Sequence, residues 1–146
     1  MILKDEQATS ELGARIASSL HSGDVITLSG PLGVGKTALA RGVLERLGHR
    51  GEVPSPSFAI VQPYDDLAMP VWHVDLYRIS HVSELEELGL ADVLAEGVLL
   101  VEWPGHAGPG AWPSGALALS LVARDDGVRA LTAQPGAGWE GRWPPR

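Results

Sequence analysis

The sequence predicts an α/β fold of three layers, in which helices flank a mixed central β-sheet and a C-terminal β-hairpin follows. Three observations support this prediction. An apolar segment rich in β-branched residues, 25–29, leads into a glycine-rich turn and then into a helical repeat. A continuous apolar run, residues 97–103, is typical of a strand buried on both faces. Two apolar segments flank the turn at residues 124–127 and predict the hairpin.

The first helix is predicted over residues 9–21. Apolar side chains recur every four positions from Leu12 to Leu20 and therefore share one helix face. Thr9 or Ser10 is expected to cap the helix, because a hydroxyl at that position accepts a hydrogen bond from a free backbone N–H group.

The segment Gly30–Thr37, GPLGVGKT, matches the phosphate-binding pattern G-x-x-x-x-G-K-[ST] in full. The required context is present, with a strand before it and, after it, a helix that we expect to end at Gly48. Glycines let backbone N–H groups approach phosphate oxygens, and the helix N-terminus directs free donors at the anion. The fold is therefore expected to be of the P-loop NTPase type. The residues expected to contact the nucleotide are Gly30, Leu32, Gly33, Val34, Gly35, Lys36, Thr37 and Ala38.

Within this loop, Lys36 is expected to reach the β- and γ-phosphates, and the hydroxyl of Thr37 to ligate Mg²⁺. A second acidic ligand normally stands at a strand end. Glu102 is favoured as that ligand, directly or through water, because it ends the more apolar run; pairing with an arginine is the alternative. Asp75 is expected to orient the attacking water or to hold a metal-bound water, and a salt bridge to Arg78 is the alternative.

The next segments are predicted as a proline-containing loop with a strand from Phe58 to Val61, and a second strand within residues 70–77. Ser57 lies in the loop, where a hydroxyl can sense a γ-phosphate as switch loops do; a plain loop serine is the alternative. His73 is expected to be a hydrogen-bonded strand histidine. Trp72 and Trp103 are more often core residues than functional ones.

Ser83 and Glu86 form a capping box that opens a short helix. Residues 104–115 hold four glycines and three prolines and predict a loop. The domain is expected to span residues 1–135, and residues 136–146, which lack periodicity, to be a loosely attached tail.

Composition excludes several classes of protein. The chain has no cysteine, and its five histidines show no metal-binding spacing, which argues against a zinc site. No leader pattern and no apolar run of membrane-spanning length occurs, so a soluble, cytoplasmic protein without a membrane partner is expected. The net charge of −7 argues against binding nucleic acid without a partner. The chain has no asparagine and therefore lacks the N-K-x-D element that reads guanine, which favours ATP as the nucleotide.

With these motifs in place, the chain resembles the TsaE family, the P-loop ATPases of bacterial tRNA threonylcarbamoyladenosine (t6A) biosynthesis. The resemblance extends over nearly the whole chain and depends on GDVITLSGPLGVGKT, VPSPSF, HVDLYR, ELEELGL and VEW, in that order. It implies an ATP-binding and ATP-hydrolysing component that acts with the TsaB–TsaD heterodimer, in which TsaD transfers the threonylcarbamoyl group to an adenosine of tRNA. It also implies that tRNA is contacted only indirectly, through these partners.

The resemblance implies roles for individual residues. Lys36 and Thr37 would bind phosphate and Mg²⁺, Glu102 would ligate Mg²⁺, and Asp75 would be an essential acidic residue near the γ-phosphate. Trp103 would be a functionally sensitive neighbour.

Three further positions bear on this comparison with the family. Thr9, in the first helix, is expected to contact the nucleotide. Ser57 stands where the family usually has threonine, so a hydroxyl is retained. Pro31 stands where the family usually has an acidic residue, at the outer bend of the loop, where it should not block phosphate binding.

Two other functions stay open at this point. A P-loop small-molecule kinase would need an arginine-bearing lid, yet the arginines near the motif are dispersed and no segment resembles a lid. The second alternative function is a nucleotide-dependent switch that does not hydrolyse ATP. No arginine lies where the sequence would place a cation on the γ-phosphate, and Arg78 is the only near candidate. The sequence therefore predicts slow hydrolysis by the chain alone and activation by partners.

Overall fold

The computed structural model describes residues 1–31, 33–53, 61–79, 83–108 and 110–145, apart from the side chains of Leu85 and Glu86. The predicted strand start at Phe58, the site residues Leu32 and Ser57, and the Glu86 half of the capping box therefore lie outside the described residues.

Seven strands and four α-helices occur in the described ranges. The strands are Ile2–Leu3 (β1), Val25–Ser29 (β2), Val61–Tyr64 (β3), Val71–Asp75 (β4), Val98–Glu102 (β5), Leu117–Ala123 (β6) and Arg129–Pro135 (β7). The helices are Glu6–Ala17 (α1), Lys36–Arg46 (α2), Ser83–Glu87 (α3) and Leu90–Leu94 (α4), and short 3-10 helices span Pro104–Ala107 and Ala137–Trp139. None of the described helices is long and apolar enough to cross a membrane.

The described strands form one mixed sheet in the order β1-β7-β6-β2-β5-β4-β3. The four neighbours β6, β2, β5 and β4 are parallel, whereas β3, β7 and β1 join antiparallel to their neighbours. Parallel strands place their carboxyl ends at one edge of a sheet, where ligands of open α/β folds bind. The glycine-rich loop after β2, Asp75 at the end of β4 and Glu102 at the end of β5 therefore meet at that edge.

Helices cover both faces of this sheet. On one face, Ile16 of α1 and Leu39 of α2 are fully buried with Leu100 of β5 in the larger core cluster. On the other face, Leu99 packs in a second cluster that Val93 of α4 joins. All five residues of β5 are buried. The predicted three-layer α/β fold, the buried strand and the C-terminal hairpin are confirmed.

Helix α1 begins earlier than predicted. Its N-cap is Asp5, whose carboxylate accepts the N–H of Ala8 at 2.8 Å. Thr9 lies buried in the first turn and donates its hydroxyl to the carbonyl of Asp5 at 3.1 Å. The prediction of a cap at Thr9 or Ser10 was wrong because it followed the apolar repeat, and the first turn of α1 is mostly exposed and polar.

The C-terminal tail differs from the predicted loose attachment. Trp139 is 1% exposed and belongs to the larger core cluster. Arg142 donates two hydrogen bonds to the carboxylate of Asp24, at 2.7 and 3.0 Å, and one to the carbonyl of Ser19 at 2.7 Å. One aromatic side chain and one ion pair thus hold the segment, and neither produces a periodic pattern in the sequence.

We predict that Trp139→Ala lowers the free energy of unfolding by about 3 kcal/mol or more, because removal of a buried tryptophan leaves a large cavity. Urea denaturation measures the change, with the exposed neighbour substitution Glu140→Ala as control. A loss below about 1 kcal/mol would favour a loosely attached tail.

Helices α1 and α2 touch through glycines. A Cβ atom added at Gly42 would lie 1.9 Å from the carbonyl oxygen of Ser10, and one added at Gly13 would lie 2.2 Å from that of Leu39. These contacts set the distance between the two helices, and they fix α2, which begins at the glycine-rich loop.

Gly42→Ala should therefore destabilise the chain by about 2 kcal/mol, although alanine is the better helix former by about 1 kcal/mol. Gly105→Ala is the matched control, because a Cβ there meets no atom of a described residue within 4 Å. Equal stability of the Gly42→Ala and wild-type chains in chemical denaturation would contradict the close helix contact.

Candidate nucleotide-binding site

The loop between β2 and α2 depends on glycine at particular positions. Gly30 has φ +143°, and a Cβ atom there would lie 2.5 Å from the carbonyl oxygen of Leu121 in β6. Gly35 is the N-cap of α2 in the left-handed conformation, φ 113°, and no side chain caps the helix there. No side chain of the described residues thus caps the first N–H groups of α2, and the positive end of the helix dipole faces the loop. This is a ready binding site for a phosphate group.

Lys36 lies beneath this loop as a buried cation, 4% exposed. Its Nζ donates to the carbonyl of Gly30 at 2.7 Å and lies 4.0 Å from the ring centroid of Trp103. The nearest carboxylate oxygen, Oε1 of Glu102, is 3.9 Å away. Burial lowers the pKa of Lys36, while the carboxylates of Glu102 and, less strongly, Asp75 act in the opposite direction. Among the described side chains, no carboxylate closes tightly on the ammonium group, so it can still attract an anion.

Two carboxylates face each other across neighbouring strands. Asp75 and Glu102 are paired in the β4–β5 register and are 7% and 4% exposed. Oδ1 of Asp75 accepts the N–H of Tyr77 at 2.8 Å, and Oε2 of Glu102 lies 2.6 Å from Nε2 of His73. Within the described part of the chain, Asp75 makes no ion pair with Arg78, and the partners of Glu102 are His73 and Lys36 rather than an arginine.

A cavity of about 360 Å³ opens over the loop and the two strand ends. It brings together most of the residues that the motif and the strand ends predicted. These are Gly33, Gly35, Lys36, Thr37, Ala38, Asp75 and Glu102.

The remaining predicted contacts lie elsewhere. Gly30 does not line the cavity, and its carbonyl accepts a hydrogen bond from Lys36. Val34 is buried, 2% exposed, beneath the loop. Thr9 is not among the lining residues, and its hydroxyl is engaged by the carbonyl of Asp5.

The structure adds two arginines that sequence analysis missed. Arg129 lines the cavity, and its Nε donates to the carbonyl of Val34 at 2.6 Å. Arg41 also lines the cavity and pairs with Glu6 at 3.2 Å. Arg78, the candidate from sequence, is exposed and does not line it. Arg129 reaches the loop because β6 lies beside β2 and the hairpin returns β7 to the same edge, which only the strand order shows.

The oxygen atoms in this cavity suit a magnesium ion. Carboxylates and hydroxyls are the hard donors that Mg²⁺ prefers, and it usually takes one or two carboxylates together with phosphate oxygens and waters. No group of three or more His, Cys, Asp or Glu side chains able to hold a metal occurs among the described residues. The side chains of Thr37 and Glu102 therefore fit a metal that binds together with a nucleotide.

The loop, its buried lysine and the paired strand-end carboxylates define the class: this is a P-loop protein. The family model described as "Threonylcarbamoyl adenosine biosynthesis protein TsaE" matches residues 3–131. The chain belongs to the TsaE family.

Individual relatives agree with the family model. The tRNA threonylcarbamoyladenosine biosynthesis protein TsaE of Streptomyces coelicolor is 48% identical over 96 residues, which are 64% of this chain and 65% of the relative, just under two thirds of its length. The protein of the same name from Bacillus subtilis is 36% identical over 127 residues, 86% of this chain and 78% of the relative. The crystal structure of Bacillus subtilis YdiB superposes with a TM-score of 0.78 at 30% identity, and covers 97% of this chain and 88% of that one.

We predict that Lys36→Ala weakens Mg·ATP binding at least tenfold, about 1.4 kcal/mol, because it removes the buried cation and leaves two carboxylates facing the anion. Isothermal titration calorimetry measures the affinity, and Lys4→Ala, at an exposed position outside the cavity, is the control. Thermal unfolding confirms that each variant is folded. Unchanged affinity in a folded Lys36→Ala protein would contradict the assignment of Lys36.

Proposed function

We propose that this chain is the ATP-binding and ATP-hydrolysing component of the tRNA t6A modification machinery. In this role it acts with the TsaB–TsaD heterodimer in the cytoplasm and contacts tRNA only through these partners. The observation that supports the proposal most strongly is the cavity that joins Lys36 and Thr37 to Asp75 and Glu102. Membership of the TsaE family supports the pathway.

Each residue of the cavity has a separate role in the proposed transfer of the γ-phosphoryl group to water. The hydroxyl of Thr37 and the carboxylate of Glu102 would hold Mg²⁺, which neutralises charge on the transferred phosphate. Lys36 binds the β- and γ-phosphates. Asp75 orients the attacking water, since Oδ1 is held by the N–H of Tyr77 and Oδ2 has no hydrogen-bond partner among the described residues.

ATP is the proposed nucleotide because the chain has no asparagine and so lacks the N-K-x-D element that reads guanine. The net charge of −7 supports indirect contact with tRNA, since binding a phosphate backbone requires a basic surface.

Slow hydrolysis by the chain alone follows from the positions of its cations. Arg129 is bound to the carbonyl of Val34, and Arg41 is bound to Glu6. Arg41 is thus paired with a carboxylate of the chain itself, and Arg129 is held at the loop through Nε. Charge or ordering supplied by a partner would then raise the rate, as cations supplied in trans raise other P-loop rates by about 10³–10⁵.

The function is tested by phosphate release from ATP across a titration of purified TsaB–TsaD, with GTP as the control nucleotide. We expect slow release by the chain alone, acceleration by the partner pair, and little release from GTP. Asp75→Asn should abolish the accelerated rate while ATP affinity changes by less than about threefold, because the residue acts on water rather than on the nucleotide.

Two results would contradict this proposal. A flat response, with the complex shown to form, would favour a switch that does not hydrolyse ATP. Transfer of the γ-phosphate to a metabolite rather than to water would favour a small-molecule kinase.

A further inference from the structure

A histidine lies directly beneath the two carboxylates. His73 is 0% exposed in β4, two residues before Asp75 and therefore on the same face of the strand. Its Nε2 is 2.6 Å from Oε2 of Glu102 on the neighbouring strand. His73 does not line the cavity, and within the described ranges its hydrogen bond to a lining residue is the one to Glu102.

The chemistry of the pair fixes the direction of this hydrogen bond. An ionised carboxylate only accepts hydrogen bonds, so Nε2 of His73 must carry the proton and donate it. The other ring nitrogen, Nδ1, is buried and has no partner among the described residues. The sequence predicts a hydrogen-bonded strand histidine; His73 makes that hydrogen bond through Nε2, while Nδ1 is unpaired among the described residues. Packing alone does not explain a histidine here, because an apolar side chain would fill the space without an unpaired nitrogen.

The hydrogen bond constrains a flexible side chain. A glutamate has three rotatable side-chain bonds, and binding Oε2 to His73 removes most of that freedom. The second oxygen, Oε1, is the one that lies 3.9 Å from Nζ of Lys36. Without the histidine, the carboxylate would be free to rotate onto the ammonium group and form a close ion pair, which would occupy both groups.

We propose that His73 is a positioning residue: by donating its Nε2 proton to Oε2 of Glu102, it holds Oε1 towards the metal of the bound nucleotide and leaves Lys36 free for phosphate. The inference rests on the proposed function, because it requires Glu102 to be a metal ligand. Hydrogen bonds that orient metal ligands in this way typically contribute about 10- to 100-fold to metal affinity.

The test uses His73→Phe, which keeps a ring but removes the donor, and His73→Gln, whose amide N–H stands near the position of Nε2. The affinity of Mn²⁺, a paramagnetic substitute for Mg²⁺, is measured for the protein–ADP complex by electron paramagnetic resonance. We expect about a 10- to 100-fold loss in His73→Phe and recovery to within about threefold in His73→Gln. ADP affinity without metal should change by less than about threefold in both, and exposed His21→Gln should match the wild type.

A double-mutant cycle separates positioning from a merely structural role. If His73 acts through Glu102, adding His73→Phe to Glu102→Gln should cause no further loss of Mn²⁺ affinity. Long-range ¹H–¹⁵N NMR of the wild-type chain supplies a measurement that needs no variant. It should show the Nε2–H form of His73, and its resonance should shift when Mg²⁺ is added to the ADP complex.

The outcomes distinguish failure of this inference from failure of the proposed function. Unchanged Mn²⁺ affinity in Glu102→Gln would overturn the metal assignment of Glu102, and the inference with it. A large loss in Glu102→Gln with none in His73→Phe would overturn the inference alone. Equal losses in His73→Phe and His73→Gln would also overturn it, because the donor would then not be the cause.

Discussion

The ammonium group of Lys36 lies buried between the carbonyl oxygen of Gly30, the ring of Trp103 and the carboxylate of Glu102. An isolated charge in such a place is strongly disfavoured, so each of these contacts is a condition for keeping the lysine there. Trp103 makes its contact from an unusual backbone conformation. Its φ of 56° is a left-handed conformation that bulky residues rarely adopt, and it places the indole ring over Lys36.

The fold supplies these groups through its parallel strands. Strand β5 lies between β2 and β4 and is parallel to both, so the loop, Glu102 and Asp75 meet at one edge without any long connection. The close contact at Gly42 sets α2 against α1, and thereby fixes the position of the helix N-terminus that faces the loop. Stability and the geometry of the candidate site therefore depend on the same contacts between secondary-structure elements.

The part of the site that sequence analysis predicted depends on local patterns. The glycine-rich loop is a contiguous motif, and Asp75 and Glu102 each end an apolar strand. All three features can therefore be recognised from short segments of the sequence. Arg129 could not be found in this way, because the residue it binds, Val34, is 95 positions away and the contact depends on strand order. The burial of Trp139 was also missed, because one buried side chain in an irregular segment produces no repeating pattern of apolar residues.

His73 shows the limit of sequence analysis most clearly. Its strand was predicted from the sequence. Its contact with Glu102, however, depends on the parallel pairing of β4 with β5, which the sequence does not show. A histidine inside an apolar run does not by itself indicate which nitrogen is bound or to what. Only the register of the two strands places it beneath the proposed metal ligand.

The most direct test of this account is a crystal structure of the chain with Mg²⁺ and a non-hydrolysable ATP analogue. The account predicts the triphosphate over the loop from Gly33 to Thr37, with Nζ of Lys36 bound to a β- or γ-phosphate oxygen and the metal between Thr37 and Glu102. A nucleotide bound elsewhere, or a lysine whose only partners are still Gly30 and Glu102, would contradict it.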